Sequence, residues 1–374
     1  LKFIFLLTII TLFATSNTYC KEKELIEVKI GAIAALNPLN NTFSERFKFG
    51  YLSALDYAKS DTEEQLAKCG YKYVFNFESY QTNDQIDVIK AANKLSYDSW
   101  AVIGPDHSNE FILVQKILNN TPIVSVLASS KEVSELPPPV FTMSLPIDQM
   151  AYLTTKIVEK SKYGMNYGAV VDLNCKVCQQ FSDYFHSHSK SKYKKLFDIK
   201  VTGNTPDLTE LVDKLKTIEV DFLLLPNFSK QSGYIISYLN NDYSHIKFVG
   251  SDGWGDDEFG YLTKFSIGKN QQGITLRNGD LYTEKIEKFK LKNFVLNWKD
   301  ESLKISDTYF GIIHFLRMQA NLLCEKKPKS RSIFIEHMKS LPKNSFILSS
   351  NANVYFLENT QLLFGYSYNE KKKN

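Results

Sequence analysis

The chain has 374 residues, 43% hydrophobic and 23% charged, and 45 basic against 41 acidic side chains leave a net charge of +4. Those fractions exclude a disordered or collagen-like chain, and the near balance of charge speaks against a dedicated nucleic-acid binder. The length allows two domains of about 100–200 residues each, and five cysteines in such a chain exclude a small disulfide-stapled scaffold.

Residues Leu1 to Thr15 read LKFIFLLTIITLFAT, one lysine followed by an apolar block. A membrane-spanning helix needs about 20 consecutive apolar residues. This block is shorter and runs into Ser16-Asn17-Thr18. The layout predicts a secretory signal peptide over residues 1–20, with Ala14-Thr15-Ser16 as a small-x-small cleavage site. The mature chain is then exported, to the periplasm or another extracytoplasmic space. Cys20 leaves lipid attachment as an alternative, against which stands Tyr19, where a lipoprotein signal prefers a small residue.

From Ile26 onward, short β-branched or apolar runs alternate with amphipathic stretches. Strands are predicted at Val28-Ala34, Tyr73-Phe77, Trp100-Ile103, Ile123-Ser125, Gly168-Asp172, Phe197-Val201, Phe222-Leu225, Lys247-Gly250 and Gly273-Leu276. Helices between them are opened by Ser44, with Phe47, Tyr51, Leu55 and Ala58 on one face; by Asn83, before Ile86, Ile89 and Ala92; and by Asp148. Strand–helix alternation at this spacing predicts an α/β architecture with parallel sheets. A fully apolar strand such as Phe222 to Leu225 fits a sheet covered on both faces. The alternation breaks at Leu136-Pro137-Pro138-Pro139, read as a rigid linker, and again near Arg277-Asn278-Gly279. Helices are then predicted over Tyr282-Trp298, Ser306-Cys324 and Ser330-Leu341, with a hairpin of Asn353-Leu357 and Leu362-Tyr368 at the end.

Several kinds of chemistry have no motif here. There is no G-x-G-x-x-G, no phosphate loop ending in Gly-Lys-Ser/Thr and no G-x-S-x-G elbow. Of six histidines only His186 and His188 are close, and on a helix such a pair points to different faces, whereas on a strand it would share one and could hold a metal. Cys175-Lys176-Val177-Cys178 follows a strand, where a redox C-x-x-C would open a helix. In an exported chain a local structural disulfide, or a pair of inert thiols, is the plainer reading. No second cysteine pair completes a zinc site. Neither metal nor cofactor is called for.

Three strand ends carry polar loops. Gly104-Pro105-Asp106-His107-Ser108 follows one strand, placing Ser108 where a helix N-cap would sit beside unpaired N–H groups, a natural place for a carboxylate and equally one for plain capping. Ala128-Ser129-Ser130 follows the next strand, and Gly250-Ser251-Asp252-Gly253-Trp254-Gly255 a later one. Ligands of open α/β sheets bind outside the carboxyl ends of strands. An anion site, a carboxylate and an aromatic wall together suit a zwitterionic amino acid.

The ordered segments VKIGAIAAL, AVIGPDHS, PIVSVLASS, VFTMSLP, YGAVVDLN, VDFLLLPN and FVGSDGWG, from Val28 onward, resemble the leucine/isoleucine/valine-binding class of periplasmic solute-binding proteins. These are the amino-acid-binding components of ABC importers, and the resemblance extends to about Tyr368. It implies a two-lobed fold, with residues 26–145 plus 278–342 in one lobe and 146–277 plus 343–370 in the other. It also implies a monomer that binds a small molecule by hinge closure and delivers it to a membrane permease. By the same resemblance Ser108, the backbone of Ala128 and Ser129 hold the ligand carboxylate, and Asp252 holds the ammonium. Phe43 and Phe228 fall on aromatic cleft positions, without the hydroxyl of a tyrosine, and Val177 falls where the family often has tyrosine. The two phenylalanines could instead be core residues, and Asp252 a turn residue beside Gly253.

The function implied is ligand binding without catalysis. A non-amino-acid ligand such as an amide, urea or an aromatic acid is the nearest alternative. A sensory or envelope-interaction protein on the same fold is the next, and a thiol oxidoreductase through Cys175 and Cys178 the last.

Overall fold

The computed structural model describes residues 24–36, 41–81, 84–125, 127–144, 146–239, 242–243, 245–251, 273–278, 307–341 and 366–370. The first elements are β1 (Ile26–Leu36), α1 (Asn41–Cys69), β2 (Tyr71–Gln81), α2 (Gln85–Ser96), β3 (Ala101–Ile103), α3 (Ser108–Leu118), β4 (Ile123–Ser125), α4 (Lys131–Glu135) and β5 (Val140–Thr142). Then come α5 (Ile147–Ser161), β6 (Asn166–Asp172), α6 (Lys176–Ser189), β7 (Lys194–Val201), α7 (Thr209–Thr217), β8 (Phe222–Leu225), α8 (Ser229–Leu239) and β9 (Lys247–Gly250). Last are β10 (Gly273–Asn278), α9 (Asp307–Lys326), α10 (Arg331–Lys339) and β11 (Tyr366–Glu370).

The strands form two sheets. The first has the order β2-β1-β3-β4-β5 and is parallel throughout. The second has the order β11-β10-β9-β8-β6-β7 and is parallel except for the antiparallel pair β10–β11. Each sheet is covered on both faces, so each has two apolar clusters. In the first sheet, Val28, Ile30 and Ala32 meet Tyr51 and Leu55 of α1 and Phe315, Leu316 and Phe334 of α9 and α10. Ile33 and Val102 face Val88, Ala92 and Leu95 of α2 and Phe111 of α3 on the other side. In the second sheet Phe222 and Leu224 point toward α5 and α6, and Leu223 and Leu225 toward α7 and α8. All four residues of β8 are buried, as its continuous apolar run predicts.

The second half of the chain returns to complete the first core. Cys324 of α9 is disulfide-bonded to Cys69 at the end of α1, across a sequence separation of 255. Tyr71 and Tyr73 donate their hydroxyls to the carbonyls of Pro328 and Leu316, at 3.1 and 2.9 Å. Arg331 donates to the Ser99 carbonyl and the Thr121 hydroxyl, tying α10 to the starts of β3 and β4. None of these long-range links follows from local periodicity.

The nine strands predicted between Val28 and Leu276 are all present, and β5 is added to them. Pro137-Pro138-Pro139 is not a linker between lobes; it leads directly into β5 of the first sheet. Proline cannot donate to a ladder, but the Pro139 carbonyl accepts from Ile123 N–H at 3.1 Å, which suits the start of an edge strand. Helix boundaries shift for local reasons. The cap of α2 is Asp84, which accepts from Asp87 N–H, while Asn83 lies outside the described residues. Its buried stripe is Val88, Ala91, Ala92 and Leu95, leaving Ile86 66% exposed and Ile89 at the surface edge. α1 starts at Asn41, ahead of Ser44. α5 starts at Ile147 behind Pro146, which is preset for a helix start, and Asp148 lies in the first turn beside the positive end of the dipole. The stretches 282–298 and 353–357 lie outside the described residues. Among the described residues no helix is long and apolar enough to cross a membrane.

Candidate functional site

Each sheet has one place where the strand order reverses. In the first it lies between β1 and β3, in the second between β6 and β8. Loops leaving the carboxyl ends of strands on either side of such a point diverge and leave a crevice, where ligands of open α/β sheets bind. On the first sheet the loop after β3 is Gly104 to His107. On the second, the loops after β6 and β8 begin at Leu173 and Pro226.

The loop after β3 is set by Gly104. Its φ is +84°, and a Cβ there would collide with the Ile33 carbonyl of β1, so only glycine fits. Its N–H donates to the Val124 carbonyl of β4 at 2.7 Å. Two tyrosines then hold the carboxylates that flank Ser108. Tyr51 donates to Asp106 Oδ2 at 2.9 Å and Tyr80 to Glu110 Oε2 at 2.6 Å. Burial first, then the adjacent carboxylate, pushes both phenols well above their ordinary range, so they remain protonated donors.

Ser108 is not the N-cap of α3. His107 holds that position, without a side-chain cap bond, because the backbone is already helical at Ser108. The Ser108 hydroxyl instead accepts from Ser130 N–H at 3.3 Å, which brings the loops after β3 and β4 together. Within the second loop, Ala128 N–H donates to Ser125 Oγ at 2.9 Å and the Ala128 carbonyl accepts from Thr142 Oγ1 at 2.8 Å. The Ala128 amide is therefore engaged by the protein, and the second lone pair of its carbonyl is the group left to accept. Ser130 caps α4 by accepting from Val133 N–H. Ser129 is buried, and its carbonyl accepts from Ile147 N–H at 3.0 Å, at the start of the first helix of the second core. Among the described residues nothing partners its hydroxyl.

On the second sheet, Asn227 is fully buried and joins the two strands at the reversal. Its Oδ1 accepts from Asp172 N–H at 2.8 Å and its Nδ2 donates to the Val170 carbonyl at 3.0 Å. Ser251 adds the end of β9 by donating to the Pro226 carbonyl at 3.0 Å. Phe228, next to this fixed amide, is 59% exposed, and Leu173 at the end of β6 is 50% exposed. Phe228 is thus not a core residue. The side chain of Phe43 and the whole of Asp252 lie outside the described residues.

Ser125, Thr142 and Asn227 lie outside the set of site residues that the sequence predicts. Asn227 does leave a signal: a polar residue directly after the apolar run Phe222 to Pro226 must pair to be buried. Cys175 caps α6, its sulfur accepting from Cys178 N–H, and is disulfide-bonded to Cys178, the first of the two readings that the sequence leaves open. His186 and His188 lie on α6 with separate partners, the Tyr167 hydroxyl and the Tyr152 ring.

No family model matches the sequence, and no curated protein matches it. Solved structures do resemble it. A leucine-binding protein LivK from Thermotoga maritima superposes with a TM-score of 0.65 at 13% identity, covering 83% of this chain and 87% of that one. The branched-chain amino acid transporter substrate-binding protein LivJ of Streptococcus pneumoniae, in complex with isoleucine, gives 0.64 at 16% identity over 83% and 87%. A solute-binding protein of an ABC transporter from R. palustris, in complex with 4-hydroxybenzoate, gives 0.66 at 12% identity over 83% and 84%. The chain has the two-lobed fold of these substrate-binding proteins, as the ordered segments of the sequence imply.

Proposed function

We propose that this chain is the extracytoplasmic substrate-binding protein of an ABC importer. It closes two lobes, residues 26–145 plus 278–342 and 146–277 plus 343–370, on a small carboxylate-bearing ligand and works without catalysis as a monomer that delivers the ligand to a membrane permease. The observation that carries the reading is the meeting of Ser108 with the loop of Ser129 at the strand ends of the first sheet. Ser129 offers a hydroxyl in a buried setting, where a bond to a charged group is strongest. For an amino acid, Asp252 supplies the partner of the ammonium. The exposed Phe228 favours a second reading, an aromatic carboxylate stacked on its ring, which needs no such partner.

A thermal-shift screen of refolded protein against amino acids and aromatic acids tests both. Ligand at about 100 times its Kd stabilises by roughly 2.7 kcal/mol, a shift of several degrees. Ser129→Ala should weaken whichever ligand binds by about tenfold or more, the loss of one bond to a charged group. Asp252→Ala should do so for an amino acid and not for an aromatic acid. A flat screen with folded protein overturns the importer reading.

A further inference from the structure

We propose that Glu132 of α4, with Lys176 and Gln180 of α6, forms a latch between the lobes at the rim of the cleft. α4 belongs to the first core, where Val133 is buried, and it starts directly after Ser129-Ser130. α6 belongs to the second core through Phe181 and Phe185, and it starts at the carboxyl end of β6, beside the strand-order reversal. Lys176 Nζ lies 2.6 Å from Glu132 Oε1. Gln180 Nε2 donates to both oxygens of the same carboxylate, at 3.1 and 3.0 Å.

Gln180 also works in the opposite sense. Its Oε1 accepts from Lys131 N–H at 3.2 Å. That amide is in the first turn of α4, where no carbonyl of the helix itself can reach it. A side chain of one lobe therefore serves the helix end of the other, and both polar side-chain atoms of Gln180 bond across the boundary. Burial pushes the Glu132 carboxyl up, yet hydrogen bonds from Lys176, Gln180, its own backbone and Ser130 outweigh it and hold the group at about 2. The Cys175–Cys178 disulfide brackets Lys176 and fixes the turn that presents it.

Separate exposed ion pairs contribute little. Here two side chains converge on one carboxylate whose side chain is 35% exposed, and both arrive from the opposite lobe. Breaking the set favours the open form without touching Ser108 or Ser129. The latch rests on the reading of two lobes that open and close, and on no particular ligand.

Spin labels on Lys116→Cys of α3 and Lys214→Cys of α7, both exposed, report the interlobe distance in ligand-free protein. Glu132→Ala and Lys176→Ala should each lengthen it, raising the open-to-closed ratio by roughly tenfold for the first and less for the second. The swap Glu132→Lys with Lys176→Glu should recover part of the closed population. Unchanged distances in folded variants, with a screened ligand still shortening them, overturn the latch and leave the binding-protein reading standing. Distances that respond to neither variant nor any ligand overturn both.

Discussion

The two lobes each have a mostly parallel sheet with helices on both faces and differ in how they are held and in what their strand ends offer. The first is built from distant pieces of chain, with α9 and α10 returning to a core begun at β1 and joined to it by Cys69–Cys324. The second core comes from the nearly continuous run of residues 147–249, and its disulfide joins residues three apart. At the strand reversals the first lobe presents serine hydroxyls, and the second an inward-tied asparagine beside exposed Phe228 and Leu173. The difference teaches that the lobe braced by long-range links carries hydroxyls at its strand ends, and the lobe whose core comes from one run of chain carries exposed apolar side chains there.

The disulfides give the largest expected effect. In the chain-entropy account, closing a loop of 255 residues is worth on the order of 5 kcal/mol, and closing one of three residues no more than about 2. Replacing Cys69 and Cys324 by alanine should therefore cost the first lobe more than Cys175→Ala with Cys178→Ala costs the second. Native-state hydrogen exchange, read separately over β1–β5 and β6–β9, checks this. Equal losses in both lobes would break the comparison and mean that the lobes unfold as one unit.

Buried tethers come next. Asn227→Ala strands the Asp172 N–H and the Val170 carbonyl and should cost roughly 2–4 kcal/mol by urea denaturation. Ser125→Ala strands only the Ala128 N–H and should cost about 1–2 kcal/mol. A smaller loss at Asn227 than at Ser125 would show that the reversal on the second sheet is tied by other contacts.

How far these regions were legible in the sequence follows from the range of the interactions. The strands and the α/β class were readable because burial on two faces leaves continuous apolar runs such as FLLL. The loop of Gly104 was readable as a turn into a helix, whereas its closeness to the loop of Ser129 was implied only by the family resemblance, since strand order is a tertiary property. Cys69–Cys324 was not readable, since nothing local to either cysteine encodes a partner 255 residues away. The inside of α2 was misjudged because Ile86 and Ile89 also lie at helical spacing, and the sheet selects the stripe of Val88, Ala92 and Leu95 instead. Ala128 shows a further limit: its N–H is committed to Ser125, which only tertiary contact reveals.

The smallest effect separates a bond between lobes from one within a lobe. Glu132 and Glu159 both have carboxyls that burial alone would push up, yet hydrogen bonds with lysines and other donors hold them below the ordinary range. Glu132 meets Lys176 and Gln180 across the boundary, whereas Glu159 of α5 meets Lys156 and Lys192 within the second lobe. A carboxyl whose folded value is depressed contributes fully above its unfolded value, near 4.5, and loses that contribution as pH falls through the folded value. For Glu132 the folded value is about 2, so interlobe distance should stay flat from pH 7 to about 5 and lengthen only below it. Protonating Glu159 should lower the stability of the second lobe over its own acid range and leave the distance unchanged. The spin-label distance followed from pH 7 to 3 distinguishes them, because Glu132→Ala should abolish its acid response and Glu159→Ala should preserve it. An acid response that survives Glu132→Ala would place the titrating contact elsewhere along the lobe boundary.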